Sequence, residues 1–417
     1  MDKKFSKFKE NLNYIYENNK VYREKMQKIN ITPDDIKTKK DISKLPLTTK
    51  EDFFKEGWTS LNPKIKQYHA SSGTTGKPLI VGMTENDIKF REESIKKSTD
   101  LAGITKNDTV QLCIGLGMFT GGLSFYDGLK DLGCTVIPTG TMSTEMQLYY
   151  MKTLRPTVVI SSASQIMHLY EASKIYGIDV KDLPIRIIRV GSELMTEKMR
   201  KKIKEAYGEN VSVSQDYGMT ETFGPGLAME CRYELGMHLN DNYYFELVDP
   251  KTKEVTTKDV GELVVTTIYN EGLPIVRYCT NDIVKITKET CPCGRTSPRI
   301  IKFLGRADDM LKVKGVKIFV SQIEDFIYAH PSFNHQYEII ITKENYKDIL
   351  TINIEYKEKI TTKINQELHE YIEQIENEFK SKFGISSKIN IVDAKTLKRL
   401  PGKPKRVRDL RKEKVKV

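Results

Sequence analysis

Apolar residues recur at every third or fourth position near the start of the chain, with Phe5, Phe8, Leu12, Ile15 and Tyr16 on one side. That spacing predicts an amphipathic helix through the first thirty residues, ended by Pro33. From about 75 to 290, short apolar runs alternate with helical periodicity. Strands are predicted at 109–114, 157–160, 185–190 and 211–214, and helices at 85–102, 145–154, 163–176 and 197–207. Such alternation builds parallel sheet with crossover helices. After Asn240 strands follow one another without helices, at 243–248, 261–268 and 275–286, which reads as an antiparallel or barrel-like addition.

From Val316 a different pattern begins: a helix at 321–329, strands near 337–341 and 350–356, a long helix at 361–383 and a strand at 389–392. The expected fold is thus α/β, a large N-terminal domain with parallel sheet and a barrel-like β portion, followed by a small α+β domain. The break near Gly305 gives domains at 1–304 and 309–417, with 305–308 joining them.

Length and composition change this picture little. A chain of 417 residues buries more than one core. It contains no run of eighteen apolar residues, so no membrane-spanning helix is expected. The charged, amphipathic start differs from an apolar signal core, and a cytoplasmic protein is expected. The formal net charge of +11 first suggests nucleic acid, yet residues 395–417 hold eleven Lys/Arg and two acidic residues. The rest of the chain therefore carries about +2, and the charge belongs to a basic, solvated tail.

Four motifs carry candidate chemistry. Ser71-Ser72-Gly73-Thr74-Thr75-Gly76-Lys77 alternates hydroxyls and glycines and adds one cation, so N–H, O–H and ammonium groups can all face a polyanion. It is not a Walker loop, which needs four residues between its glycines and Ser/Thr after the lysine. Asp216-Tyr217-Gly218-Met219-Thr220-Glu221 follows the run 211–214 directly, at a strand end where ligands bind in open α/β sheets. It offers an aromatic face, close backbone approach, a hydroxyl and a possible magnesium ligand. Gly305–Gly315 lies at the domain boundary with short polar residues. Lys403 stands between Gly402 and Pro404 in the basic tail. Taken singly, each also fits an ordinary turn or linker.

In this order the four motifs resemble the adenylate-forming superfamily of acyl-CoA synthetases, and within it the phenylacetate–CoA ligase branch. The resemblance is nearly chain-wide. It takes in His69-Ala70, Gly115 to Leu123, Gly224-Pro225-Gly226, Gly261-Glu262-Leu263-Val264 and Leu273 to Tyr278. It implies that a carboxylic acid, aryl or arylacetic, is activated by ATP and Mg²⁺ to an acyl-AMP and then passed to a thiol, coenzyme A first of all. It implies that 71–77 hold the β- and γ-phosphates, and that Gly191-Ser192-Glu193 line the adenine site, where alanine is usual in place of Ser192. Tyr217 would lie near adenine, Thr220 at the α-phosphate and Glu221 on Mg²⁺. Asp282, with Arg306, would bind the ribose hydroxyls. Asp308 would be the hinge of a mobile C-terminal lid, and Lys403 would bridge the carboxylate and α-phosphate. The lid would then present the segment around Gly315 to the pantetheine thiol. Two anions must meet in such a reaction, which is why magnesium and a mobile lysine are needed.

Cys231, His238, Cys291 and Cys293 form a Cys₃His set suited to closed, structural zinc, and members of this branch resemble the segment and carry zinc there. Unpaired thiols with a surface histidine are the alternative. Cys113, Cys134 and Cys279 read as core, as does His168 on the face of Ile166 and Leu169. Phe119, Phe125 and Tyr126 are candidates for the acyl pocket. Phe125-Tyr126 stands where the family usually has histidine-tyrosine, a departure that bears on the acid.

Several alternatives remain. The same adenylation could serve a carrier-protein thiol, or transfer the adenylyl group without thioester. Lys405, Arg406 and Arg408 suit CoA phosphates and an acidic carrier equally. From another class, the chain could be a non-catalytic nucleotide- or nucleic-acid-binding protein, although no specific nucleic acid is expected. A homodimer is the commonest oligomer on general grounds.

Overall fold

The computed structural model describes all residues except 1, 57, 59–63, 72–77, 308–309, 315, 345–346, 358–361, 398–405 and 413–417. Two compact units are formed, Met1–Phe303 and Leu304–Val417.

The first unit is organised by one mixed sheet, eleven-stranded among the described residues. Strands Thr135–Ile137, Thr109–Leu112, Val158–Ser161, Ile187–Val190 and Ser212–Met219 lie side by side in that order, all parallel. Val158–Ser161 and Ile187–Val190 are buried at every position, because helices cover both faces of a parallel sheet. Ser212–Met219 then pairs antiparallel with Gly224–Glu230, and the order continues through Met237–Leu239, Arg299–Arg306, Tyr278–Thr287, Val260–Thr267 and Tyr243–Val248. The sheet therefore changes character at Ser212–Met219.

Helix Glu85–Ala102 matches its periodicity, opened by a capping box of Thr84 and Asp87 and closed by Gly103 in the left-handed region. Helix Thr120–Leu132 escapes a periodicity reading because Gly121, Gly122 and Gly128 lower helix propensity. Packing demands the last of these: a Cβ on Gly128 would lie 2.5 Å from the Ile95 side chain. The opening thirty residues form two helices instead of one, Lys3–Asn18 and Lys20–Lys28. The chain breaks at Asn19, whose side chain caps the second helix through the Tyr22 N–H at 2.9 Å. His168 is exposed, its ring within 3.1 Å of the Thr144 hydroxyl. Its helix buries Ile166, Leu169 and Ser173, and position 168 falls off that face. Cys113, Cys134 and Cys279 are buried thiols. No helix among the described residues is long and apolar enough to cross a membrane.

The seam of the sheet is charged. Arg189 is fully buried. Its Nε donates to Asp216 Oδ2 at 2.7 Å, its Nη1 to Ser214 Oγ at 2.8 Å and the Glu230 carbonyl at 3.1 Å, and its Nη2 to Ser98 Oγ at 2.6 Å. Beside it, Arg200 grips the Glu230 carboxylate through Nη1 at 3.1 Å and Nη2 at 2.9 Å. That carboxylate also accepts the Gln215 N–H at 2.9 Å. These pairs tie the last parallel strand to the first antiparallel one.

The second unit holds a four-stranded sheet in the order Lys388–Val392, Lys347–Tyr356, Phe333–Glu344, Val407–Asp409. The central pair is antiparallel and both outer pairings are parallel. Helices Val320–Tyr328 and Thr362–Phe383 accompany this sheet, and Ile323, Phe326, Ile339, Ile352, Ile375 and Phe379 share the core. Part of the basic tail is built into this unit instead of being solvated. Val407–Asp409 adds the edge strand, and Arg406 bonds Glu324 at 2.6 Å and stacks over the Tyr337 ring at 4.4 Å. Arg411 pairs with Asp348 at 3.1 Å and Asp409 at 2.6 Å. The guanidinium of Arg406 is thus occupied within its own unit.

The seam generates a prediction. Arg189→Met leaves Asp216 buried and uncompensated, which costs about 3–5 kcal/mol. Urea unfolding followed through Trp58, the single tryptophan and a core residue of the first unit, should show a lower midpoint. Adding Asp216→Leu should recover part of the loss, because an apolar pair replaces a broken ionic one. An Arg189→Met midpoint equal to wild type would contradict the role given to the pair.

Candidate active site

The ends of strands Ile187–Val190 and Ser212–Met219 open side by side at the seam. After Val190 the chain turns through Gly191-Ser192-Glu193. Gly191 donates its N–H to the Ser161 carbonyl at 3.1 Å, and Ser192 is exposed with φ +69°, a region that strains a residue with a side chain. The Glu193 carboxylate accepts the N–H of Ser164 and its hydroxyl, the latter at 3.0 Å. It thereby satisfies the first turn of helix Ala163–Ile175.

The second strand runs directly into a 3₁₀ turn, Thr220–Thr222, closed by buried Phe223 at φ +67°. Gly218 is required in this approach: a Cβ there would sit 2.0 Å from the Gly224 carbonyl oxygen. Asp216 is turned inward onto Arg189 and Ser98, so its carboxylate holds the seam and does not face a ligand. Tyr217 points the other way. Its hydroxyl donates to Asp282 Oδ2 at 2.5 Å, and its ring packs on Phe303 at 5.0 Å between centroids. Glu221 is buried, and its Oε1 accepts the Tyr278 hydroxyl at 3.2 Å. The structure thus pairs Tyr217 with Asp282 and Glu221 with Tyr278, across segments 65 and 57 residues apart. Met219 and Thr220 lie beside them, both half-buried. Arg306 ends strand Arg299–Arg306 in the second unit.

The base of the hydroxyl–glycine loop is closed by Ser71. Its N–H donates to the Leu79 carbonyl and its hydroxyl accepts the Leu79 N–H, both at 2.9 Å. Ser72, Gly73, Thr74, Thr75, Gly76 and Lys77 lie outside the described residues, as do Asp308, Gly315 and Lys403. Just before the loop, His69 is fully buried. Its Nδ1 lies 3.1 Å from the Met118 carbonyl and its Nε2 lies 3.2 Å from Arg91 Nη1, while Arg91 Nη2 donates to Asp127 at 2.6 Å. Burial pushes the His69 pKa down. The neutral ring therefore donates to Met118 and accepts from Arg91, fastening the loop's entry strand to the 115–119 turn. The sequence pattern marks neither Arg91 nor Asp127 and gives Tyr278 no role, for long-range pairing leaves no local period.

Of the acyl-pocket candidates, Phe119 is exposed. Phe125 is a core residue instead, packed with Ile95, Val110 and Leu129, and half-buried Tyr126 leans on the same cluster. The helix face that carries position 125 turns toward the sheet.

Away from this opening, Cys231, His238, Cys291 and Cys293 bring four donor atoms within 4.8 Å of one another. Cys231 Sγ lies 3.7 Å from Cys291 Sγ, and Cys293 Sγ lies 3.4 Å from His238 Nε2. Ser297 Oγ meets the other ring nitrogen, Nδ1, at 3.1 Å. Burial, with the charges of Arg299 and Arg295, pushes the His238 pKa down to about 4, so its imidazole is neutral.

Comparison with known proteins agrees with this arrangement. The AMP-binding enzyme family matches residues 66–270, and the AMP-binding enzyme C-terminal domain matches residues 315–411. A phenylacetate–coenzyme A ligase of Pseudomonas putida is 34% identical over 407 residues, covering 96% of this chain and 92% of that protein. One from Thermus thermophilus is 34% identical over 419 residues, covering 96% and 94%. Among solved structures, 2-hydroxyisobutyryl-CoA ligase in complex with R3-HIB-AMP has the same fold, with a TM-score of 0.87 at 20% identity over 97% of this chain and 88% of that one. Relatives that match over nearly the whole chain, on a sheet whose seam carries Asp216 to Glu221, place the chain in the adenylate-forming AMP-binding enzymes, within the phenylacetate–coenzyme A ligase family.

Proposed function

We propose that the chain activates phenylacetate, or a closely related aryl acid, with ATP and then transfers the acyl group to coenzyme A. The pairing of Tyr217 with Asp282 and of Tyr278 with Glu221 carries this reading, and relatives matched over nearly the whole chain that are phenylacetate–coenzyme A ligases support it. The carboxylate attacks the α-phosphorus and pyrophosphate leaves. Tyr217 and the backbone of 191–193 flank adenine, Asp282 and Arg306 take the ribose hydroxyls, and Thr220 donates to the α-phosphate. Glu221 holds the Mg²⁺ that accompanies ATP, and residues 71–77 cradle the outgoing phosphates. Lys403 neutralises charge shared by the carboxylate and the α-phosphate oxygens. Asp308 is the pivot at which the C-terminal unit turns, withdrawing Lys403 and admitting the thiol; a few residues suffice for such a change. Unpaired thiols throughout fit a cytoplasmic setting.

The Cys₃His set holds one structural zinc in this proposal. Three thiolates and a neutral imidazole fill a tetrahedron and leave no open position, and Arg295 and Arg299 offset the excess negative charge. The ion would tie the 231–238 segment to 291–293 and take no part in the reaction.

Three outcomes are expected. Pyrophosphate release should depend on phenylacetate, and phenylacetyl-CoA should form only when CoA is added; pyrophosphate without thioester would contradict the acceptor. Lys403→Ala should slow adenylation on the order of 10² or more, and slow thioester formation from pre-made acyl-AMP far less. Equal losses in both half-reactions would remove Lys403 from its role. Metal analysis should find about one zinc per chain, and Cys291→Ser should lower both zinc content and melting temperature. A stable, zinc-free wild-type protein would sink the metal assignment.

A further inference from the structure

The two carboxylates proposed for ribose and magnesium are each held by a tyrosine from the opposite segment. One segment carries Tyr217 and, four residues on, Glu221; the other carries Tyr278 and, four residues on, Asp282. The hydrogen bonds cross: Tyr217 Oη donates to Asp282 Oδ2 at 2.5 Å, and Tyr278 Oη donates to Glu221 Oε1 at 3.2 Å. The strands concerned, Ser212–Met219 and Tyr278–Thr287, are not neighbours. Gly224–Glu230, Met237–Leu239 and Arg299–Arg306 stand between them in the sheet. Their separation at the opening is therefore not set by a shared backbone ladder, and the two hydroxyls join them directly.

Each tyrosine is itself supported from behind. Tyr278 is 4% exposed, bridges to Thr48 and packs on the Phe53 ring at 5.3 Å. Tyr217 leans on Phe303. A carboxylate oxygen has room for two donors, and each carboxylate has two oxygens. A tyrosine hydroxyl and a ligand can therefore be held at once, with the hydroxyl restricting rotation of the carboxylate.

We infer that Tyr217 and Tyr278 are positioning residues whose crossed hydrogen bonds aim Asp282 at the ribose and Glu221 at the metal. The inference rests on the nucleotide reading above, and it gives each hydroxyl a separate signature. Tyr217→Phe should raise the KM for ATP about tenfold, the scale of a hydrogen bond to a charged group, with little change in kcat. It should also lower the preference for ATP over 2′-deoxy-ATP and 3′-deoxy-ATP, and leave the Mg²⁺ requirement unchanged. Tyr278→Phe should raise the Mg²⁺ concentration for half-maximal rate about tenfold and leave the deoxy-nucleotide preference unchanged. A merely structural role would move both readouts together.

The experiment measures phenylacetate-dependent pyrophosphate release by the full-length chain with ATP and both deoxy-ATPs, across a Mg²⁺ titration. Asp282→Ala and Glu221→Gln serve as references, and urea midpoints confirm folding. If Asp282→Ala keeps the full preference for ATP, the ribose assignment falls and the inference with it. If Asp282→Ala loses that preference while Tyr217→Phe keeps it, the nucleotide reading stands and the brace is overturned. Tyr217→Phe is made at a half-buried position, so it decides the first half of the brace even if Tyr278→Phe does not fold.

Discussion

The buried ion pair of Arg189 and Asp216 is the constraint on which the rest of the first unit turns. Burying two charges is expensive unless both are paired and their remaining donors and acceptors are met. Here the guanidinium is met by a carboxylate, two hydroxyls and a carbonyl, and Asp216 Oδ2 also accepts from Ser98, while Asp216 Oδ1 is buried without a partner among the described residues. Those partners come from helix Glu85–Ala102, strand Ser212–Met219 and strand Gly224–Glu230. The pair therefore fixes three elements against the end of Ile187–Val190. Arg200 and Glu230 repeat the arrangement one layer away, so the change from parallel to antiparallel pairing is pinned by charge as well as by backbone.

The candidate site follows from that seam. Asp216 faces inward and Tyr217, its neighbour on an alternating strand, must face outward. Gly218 then lets the backbone pass Gly224 without a Cβ, and the turn at Thr220–Thr222 places Glu221 beside Tyr278. A ligand at this opening meets side chains whose positions are set by a rigid support. This is the condition under which electrostatic stabilisation costs no reorganisation during reaction. The entry to the hydroxyl–glycine loop is fastened in the same manner, through His69, Arg91 and Asp127.

Much of the fold was legible because burial has a period. The helix at Glu85–Ala102 and the strand at Tyr243–Val248 coincide with their apolar spacing. Helix Thr120–Leu132 was hidden, since the glycines that let it pack against Ile95 also look like turn residues. The tail at Arg406 to Arg411 read as solvated charge because the partners that bury it, Glu324, Tyr337 and Asp348, lie more than sixty residues away. At the site, strand-end motifs pointed to Tyr217 and Glu221, and resemblance pointed to Asp282. Tyr278 entered only as the end of a matched segment, with no role, and Arg189 had no signal. Asp216 had a misleading one, for its place in a ligand-facing motif said nothing of the strand's alternation.

This chain makes an acyl-adenylate and discharges it to coenzyme A, as its relatives indicate. The most direct test is to mix the protein with ATP, Mg²⁺ and phenylacetate without CoA, and to identify the bound product by mass spectrometry. Phenylacetyl-AMP should form with AMP-forming stoichiometry and should convert to phenylacetyl-CoA and free AMP when CoA is added. Formation of ADP and phosphate, or an acyl-adenylate that CoA fails to discharge, would contradict it.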